Sequence, residues 1–162
     1  MAKKLVIVRH GQASHNLDAG DFNRKLTDLG KSQSEEVANK ILQHNCIPDL
    51  LISSNANRAF NTAKIFAKTW GIDEKKIFIN PSIYEATLNK LLNLVNEIEN
   101  KFNHVAIFGH NPGLSELAEY LTGLNFQLST SALIILEFDV DNWMEITRNS
   151  GKFSLYLEPS DF

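Results

Sequence analysis

The amino-acid sequence predicts a three-layer α/β/α domain with a mixed, mostly parallel sheet and antiparallel strands at the C-terminal end. Short runs of branched apolar residues alternate with segments of helical period as far as residue 122. Beyond that residue, β-branched residues and alternating patterns take over. A parallel sheet is covered on both faces, so its strands are apolar throughout, as these runs are.

The elements follow in order along the chain. Apolar runs predict strands over 4–8, 50–53, 77–79 and 104–108. Helical spacing predicts helices over 29–44, from about 58 to a stop at Gly71, over 88–102 and over 112–122. Thr27 or Asp28 is suited to cap the first of these helices, and Thr87 is suited to cap the third. Strands are predicted over 131–138, 143–148 and 152–157, with 139–142 as a hairpin turn.

Length and composition limit the class of protein. The 162 residues, 43% hydrophobic and 22% charged, predict one globular domain over 1–162. A net charge of −3 with no basic run argues against a nucleic-acid partner. No apolar stretch approaches the length of a membrane span, and the single Cys46 cannot form an internal disulfide. We therefore expect a cytoplasmic protein that binds no membrane.

Polar residues follow the first predicted strand without a gap. Arg9, His10 and Gly11 stand where ligands bind in open α/β sheets, at the carboxyl end of a strand. They combine a fixed cation, a titratable nucleophile and a backbone that permits close approach. The alternative is a polar strand end with His10 facing solvent.

Two later strand ends carry the same kind of residue. Gly109-His110-Asn111-Pro112 follows the strand at 104–108 and opens a helix, whose free N–H groups attract phosphate. Arg58 follows the strand at 50–53 in the first turn of another helix. Two arginines and two histidines that converge in this way predict a site for a dianionic phosphoryl group.

These stretches together resemble the histidine phosphatase superfamily, which includes acid phosphatases and phosphoglycerate mutases. The matching stretches are Arg9-His10-Gly11, residues 54–63 around Arg58, Gly109-His110, and residues 26–30 and 130–132. The short length and the turn at 109–112 are most similar to small SixA-type phosphohistidine phosphatases. The resemblance implies a mixed sheet flanked by helices and a phosphatase activity.

The resemblance and the chemistry assign roles to the site residues. His10 is the expected nucleophile, since a neutral imidazole has a free lone pair and attack on phosphorus gives a phosphohistidine. The alternative is a histidine that binds phosphate without a covalent step. Arg9 and Arg58 are expected to bind the non-bridging oxygens, with further contacts from His110, Asn111, Gly11 and, by the family's pattern, Asn16.

Glu85 is the expected general acid for the leaving group, because it precedes a helix in the interval where the superfamily often carries its acid. The alternative is a carboxylate that only stabilises a helix N-terminus. An imidazole leaving group needs far less protonation than an alcohol, so the acid is dispensable for phosphohistidine. The histidine and aspartate spacings match no metal site, and no nucleotide-binding glycine loop is present, so we expect neither metal nor cofactor.

The substrate follows from chain length. Only 25 positions separate Glu85 from His110, and one helix and one strand take up nearly all of them, which leaves no room for a lid. An open site favours a phosphoryl group that protrudes from a protein, such as phosphohistidine on a histidine-phosphotransfer-type partner. The alternatives are a small phosphate ester as substrate, or a non-catalytic module that senses phosphate.

Overall fold

A mixed sheet forms the centre of the protein in this computed structural model, which describes residues 2–15, 18 and 20–160. In the described part its strands are β1 (Lys3–Arg9), β2 (Leu50–Ser53), β3 (Ile77–Ile79), β4 (His104–Gly109), β5 (Leu133–Phe138) and β6 (Gly151–Leu157). The α-helices there are α1 (Asp28–Leu42), α2 (Asn57–Trp70), α3 (Leu88–Asn96) and α4 (Gly113–Thr122).

The strand order is β3-β2-β4-β1-β5-β6. The first four strands of the chain run parallel to one another, whereas β5 and β6 are antiparallel to their neighbours. The predicted mixed, mostly parallel sheet with antiparallel C-terminal strands is therefore confirmed. β1 lies between β4 and β5, with Arg9 beside Gly109 and Val8 beside Leu133. The end of β1 is thus enclosed on both sides.

Helices cover both faces of the sheet. Val6 and Val8 pack with α1 and α2 in one apolar cluster, and Leu5 and Ile7 pack with α3 and α4 in another. All four of these β1 side chains are 0% exposed. Burial on both faces is what requires an unbroken apolar run in a central parallel strand, and it gives the predicted three layers.

The predicted helix caps are confirmed. The Thr27 hydroxyl accepts a hydrogen bond from the Gly30 amide at the start of α1, and Thr87 accepts from the Lys90 amide at the start of α3. Gly71 ends α2 in the left-handed conformation, with φ 73°. These caps fix where the helices begin and end relative to the strand ends.

Two predicted boundaries are wrong. α3 ends at Asn96 rather than near residue 102, and 143–148 is no strand but contains the short 3₁₀ helix Trp143–Glu145. The side-chain amide of Asn96 donates to the backbone carbonyls of Trp143 and Ile146, both at 2.9 Å. The Trp143 and Ile146 side chains belong to a turn and are buried in the core. The connection from β5 to β6 is therefore longer than the predicted hairpin turn at 139–142.

No helix in the described part of the chain is long and apolar enough to cross a membrane.

Candidate active site

Neighbouring strands bring the two predicted histidines together. The His10 amide donates to the Gly109 carbonyl at 3.0 Å, which continues the β1–β4 ladder past the end of β1. His10 and His110 therefore leave adjacent strands, with ring centroids 5.2 Å apart. Arg58, in the first turn of α2, reaches the same place from β2. Three of the predicted strand-end motifs thus meet in one cleft.

The His10 ring is held in one tautomer. Its Nδ1 lies 2.7 Å from the Gly11 carbonyl oxygen, which can only accept, so Nδ1 carries the proton and Nε2 keeps a lone pair. Burial, helped by the nearby charges of His110, Arg58 and Arg9, lowers the pKa of His10 to about 3. The ring is therefore neutral at physiological pH, with Nε2 available as a nucleophile.

Gly11 supports His10 through its backbone. Its amide donates to the Thr62 hydroxyl at 2.9 Å, and its carbonyl accepts from His10. A Cβ at this position would lie 2.8 Å from the Ser34 hydroxyl oxygen and 2.9 Å from the Gly30 carbonyl oxygen. Only glycine fits between these groups. A larger residue would displace the backbone here, and with it the Gly11 carbonyl that orients the His10 ring.

Arg58 is buried, with 6% of its surface exposed, and its three nitrogens all have partners. Nε donates to Nε2 of His10 at 3.3 Å. Nη1 donates to the Asp21 carbonyl at 2.7 Å, and Nη2 lies 3.2 Å from the Asp21 carboxylate. The guanidinium therefore links the candidate nucleophile to an acidic residue from the segment before α1.

Tyr84 completes the contacts of Asp21. Its hydroxyl donates to the Asp21 carboxylate at 2.6 Å. This bond, with those from Arg24 and Arg58, lowers the pKa of Asp21 to about 2. The same bond raises the pKa of Tyr84 to about 12. Asp21 is therefore ionised, and Tyr84 is neutral, over the whole working pH range.

Arg9 and Asn111 share one backbone acceptor. Nη1 of Arg9 and the side-chain amide nitrogen of Asn111 both donate to the Leu128 carbonyl, at 2.9 Å each. The Asn111 side-chain oxygen accepts from the amide and hydroxyl of Ser115 in α4. Nε of Arg9 is buried, and no hydrogen-bond partner is found for it among the described residues. Arg9 thus retains donor capacity, while the Asn111 side chain is engaged within the protein.

His110 is oriented by a serine. Its Nε2 lies 2.8 Å from the Ser54 hydroxyl, which also accepts from the Ala56 amide at 3.1 Å. Nδ1 of His110 is buried and lacks a hydrogen-bond partner within the described part of the chain. Burial, with the charge of Arg58, lowers the pKa of His110 to about 4. A second neutral imidazole therefore presents an unused ring nitrogen.

Glu85 lies at the edge of the cleft. It is exposed, it has the left-handed backbone conformation with φ 54°, and it lines a cavity of about 410 Å³ together with Tyr84, His110 and Glu116. Asn16, the remaining predicted phosphate ligand, lies outside the described residues. No group of three or more metal-ligating side chains is found in the ranges that the structure describes.

Sequence reasoning overlooked four residues of the cleft, namely Asp21, Ser54, Thr62 and Tyr84. Ser54 and Thr62 stand four positions before and four after Arg58, and the latter spacing places a side chain on the same helix face. This spacing of the two hydroxyl residues around Arg58 is the feature of the sequence from which they could have been predicted as part of the cleft. Asp21 and Tyr84 are 63 positions apart in the chain, so no local pattern connects them.

The arrangement is suited to bind a phosphoryl group. Two guanidiniums supply fixed positive charge, and two neutral imidazoles supply a lone pair and a further polar nitrogen. A family model described as the histidine phosphatase superfamily (branch 1) matches residues 5–112. The chain belongs to this superfamily. Membership of the superfamily, together with this site, supports a phosphatase, which is a hydrolase.

Relatives of this histidine phosphatase have several descriptions. An uncharacterized chloroplastic protein of Arabidopsis thaliana is 27% identical over 98% of this chain and 77% of its own length. A 2,3-bisphosphoglycerate-dependent phosphoglycerate mutase of Rhodococcus opacus is 37% identical, over 40% of this chain and 27% of the mutase. A glucosyl-3-phosphoglycerate phosphatase of Mycobacterium tuberculosis is 31% identical, over 44% of this chain and 32% of that protein.

Solved structures agree with the fold. A protein of Nakamurella multipartitia described as a SixA phosphohistidine phosphatase superposes with a TM-score of 0.85 and 18% identity, over 99% of this chain and 98% of that one. A protein histidine phosphatase SixA bound to tungstate has a TM-score of 0.80 and 21% identity, over 96% and 97% of the two chains. The histidine phosphatase therefore has the fold of these small proteins over nearly its whole length.

Proposed function

We propose that this histidine phosphatase removes the phosphoryl group from phosphohistidine on a protein, through a covalent phosphohistidine at its own His10. The observation that carries the proposal is the geometry of His10. Its Nε2 lone pair belongs to a neutral, buried ring, is oriented by the Gly11 carbonyl, and lies beside Arg58 and His110. A nucleophile so prepared needs no separate base.

In the first step, Arg9, Arg58 and Nδ1 of His110 bind the non-bridging oxygens and neutralise the charge that spreads over them. Nε2 of His10 attacks phosphorus and a new nitrogen–phosphorus bond forms. The bond between phosphorus and the leaving imidazole breaks, and the electron pair stays on that imidazole nitrogen. Solvent or Glu85 supplies the proton that the leaving group takes up.

In the second step, a water molecule attacks the phosphorus of phospho-His10. The bond from phosphorus to Nε2 breaks, and its electron pair returns to the ring, which is again neutral. The proton lost by the water passes to the phosphate product or to solvent. Inorganic phosphate leaves, and Arg58 resumes its contact with His10.

The substrate class follows from the access to the cleft. The interval between Glu85 and His110 is fully described, and it consists of α3, a turn and β4 without an insertion that could close over the site. An open cleft binds phosphate firmly and the rest of a small substrate weakly, whereas the surface of a protein substrate can supply the missing contacts. The name of the structural neighbours, phosphohistidine phosphatase, agrees with this choice.

A small phosphomonoester is the second candidate substrate, because the cavity of about 410 Å³ beside His110 could hold the body of a metabolite. The mycobacterial relative is named for such a substrate. Glu85 and Glu116 both line this cavity. Two carboxylates disfavour a substrate with a second acidic group, so a neutral or cationic ester is the form that this alternative would take.

Rapid acid and base quench tests the proposal. Wild-type protein mixed with a phosphorus-32-labelled phosphohistidine protein should give a labelled adduct that survives base and is lost in acid, whereas His10→Ala should give neither adduct nor turnover. His44→Ala, a change of an exposed histidine outside the cleft, serves as the matched control. An alanine variant at position 10 with wild-type turnover would exclude the covalent role. A kcat/KM at least tenfold higher for small esters would favour the second candidate.

A further inference from the structure

A second cavity lies outside the cleft, between α1 and α2, with a volume of about 620 Å³. Its floor is apolar, formed by Leu26, Ile65 and Ile72. Four lysines surround this floor: Lys25, Lys31, Lys64 and Lys68. We call this cavity the lysine groove. An apolar floor with a charged rim is the usual layout of a protein-binding surface.

The charge of the lysine groove opposes that of the whole chain. The protein has a net charge of −3, yet four of its 16 basic residues line this one groove. The acidic residue that lines it is Glu74, whose carboxylate lies 3.9 Å from Nζ of Lys64 and is 63% exposed. One distant, solvated pair leaves the groove strongly positive. Its complement is therefore an acidic surface.

The lysine groove and the candidate active site are formed by neighbouring positions of the same two segments. Asn57 lines the groove while the next residue, Arg58, contacts His10. The segment before α1 makes the same connection, since Asp21 contacts Arg58 and Lys25 lines the groove. Lys68 lies ten residues beyond Arg58 on α2, so the groove extends about 15 Å along the helix axis from the site.

The form of the groove favours a protein segment over a small anion. Lys31 and Lys68 are exposed, and lysine is a flexible point charge rather than the rigid fork with which arginine binds a phosphate. Such a rim steers an acidic surface and tolerates variation in its shape, while the apolar floor accepts side chains from the same segment.

We propose that the lysine groove binds an acidic segment, with apolar side chains among its carboxylates, that flanks the phosphorylated histidine of the protein substrate. This inference rests on the proposed function and extends it from the phosphoryl group to the partner. The phosphoryl group enters the cleft at Arg58, and the acidic segment lies along α2. The groove then selects the protein partner, while the residues of the cleft carry out the phosphoryl transfer.

Charge reversal of the rim tests the groove. The variant Lys31→Glu/Lys68→Glu is compared with Lys101→Glu/Lys152→Glu, which makes the same change in net charge at exposed positions outside the groove. The substrates are a phosphorylated histidine-phosphotransfer domain of acidic net charge and free phosphohistidine. For the phosphorylated domain, the groove variant should lower kcat/KM on the order of tenfold or more, through KM and with a loss of salt dependence. Turnover of free phosphohistidine should stay unchanged.

The outcomes separate the groove from the chemistry. A wild-type protein that hydrolyses neither substrate contradicts the proposed function and the partner with it. A groove variant that behaves like the control variant, in a wild-type background that hydrolyses both substrates, contradicts the groove alone. Equal loss on both substrates would show that these lysines act on small anions, and would also overturn the inference.

Discussion

The carboxylate of Asp21 lies 3.2 Å from Nη2 of Arg58, so a guanidinium proposed to bind phosphate already holds an anion of the protein itself. The Asp21 carbonyl accepts from Nη1 of the same side chain at 2.7 Å. An incoming phosphoryl group must therefore compete with Asp21 for the two outer nitrogens of Arg58. The hydrogen bond from Tyr84 keeps the competing carboxylate in place.

Replacing Asp21 with asparagine should strengthen phosphate binding. The change Asp21→Asn keeps an oxygen that can accept from Tyr84 but removes the charge that competes with phosphate. We expect the inhibition constant of orthovanadate to fall about fivefold, as for the loss of an interaction of about 1 kcal/mol at a partly exposed pair. Asp139→Asn, at the opposite end of the sheet, is the control. Weaker vanadate binding by Asp21→Asn would show instead that Asp21 positions Arg58.

Ser54 should act as a positioning residue for His110. The change Ser54→Ala removes the partner of Nε2, so the ring can exchange tautomers and Nδ1 no longer keeps the proton needed for its proposed contact with phosphate. We expect kcat/KM to fall about ten- to a hundredfold, equivalent to one lost hydrogen bond to a buried group. Nitrogen-15 NMR of His110 should show a mixture of tautomers. In the control Ser53→Ala, a neighbouring buried hydroxyl is lost and the His110 spectrum should not change.

Glu85 should matter for one class of leaving group. In Glu85→Gln, turnover of an alkyl phosphomonoester should fall on the order of a hundredfold or more, because the alkoxide leaves without a proton donor. Turnover of phosphohistidine should change less than threefold. Glu116→Gln removes the other carboxylate of the same cavity and should leave both rates near wild type. Equal losses on both substrates in Glu85→Gln would argue for a role in binding.

Stability should fall in mild acid because buried histidines stay neutral. The pKa of His10 is lowered to about 3 and those of His104 and His110 to about 4, mainly by burial. An unfolded chain, with a histidine pKa of about 6.5, binds more protons than the folded one between that pH and 4. The free energy of unfolding should therefore decrease as pH falls from 6.5 to 4, and be independent of these rings above 7.

His104 allows this effect to be measured without disturbing the cleft. In His104→Gln, the slope of the unfolding free energy against pH should be smaller than in the wild type. The decrease should be at most about 1 kcal/mol per pH unit. The limit allows for solvent screening of this partly exposed ring. Urea titrations at several values between pH 4.5 and 6.5 give the slope. His44→Gln, which replaces an exposed histidine outside the cleft, is the matched control.

Sequence reasoning found the residues that follow strand ends. Arg9, His10 and His110 stand directly after apolar runs, and the rule that parallel strands end at one edge of the sheet places them together. The alternation of strand and helix patterns, followed by two apolar stretches near the C-terminal end, predicted the mixed sheet. The caps were predicted at Thr87 and at Thr27 or Asp28, and the structure has Thr27. In these cases each signal lies within a few positions of the residue that it concerns.

The errors and omissions involve contacts between distant parts of the chain. The apolar period of α3 continues past Asn96, where the helix ends, and the side-chain amide of Asn96 donates to carbonyls 47 and 50 positions away. The stretch 143–148 was predicted as a strand, although its buried residues Trp143 and Ile146 lie in and directly after a 3₁₀ turn. Asp21 reaches Arg58 and Tyr84 across similar separations, and no local pattern encodes these bonds.

The central position of β1 has a consequence for how the protein is made. β1 carries Arg9 and leads into His10, yet its register partners in β4 lie 100 positions later, and those in β5 later still. During synthesis, this strand leaves the ribosome long before either neighbour exists. The cleft therefore cannot assemble in stages while the chain is being synthesised. We expect a nascent chain to lack phosphatase activity until β5 has been synthesised, and we expect activity to arise late in folding.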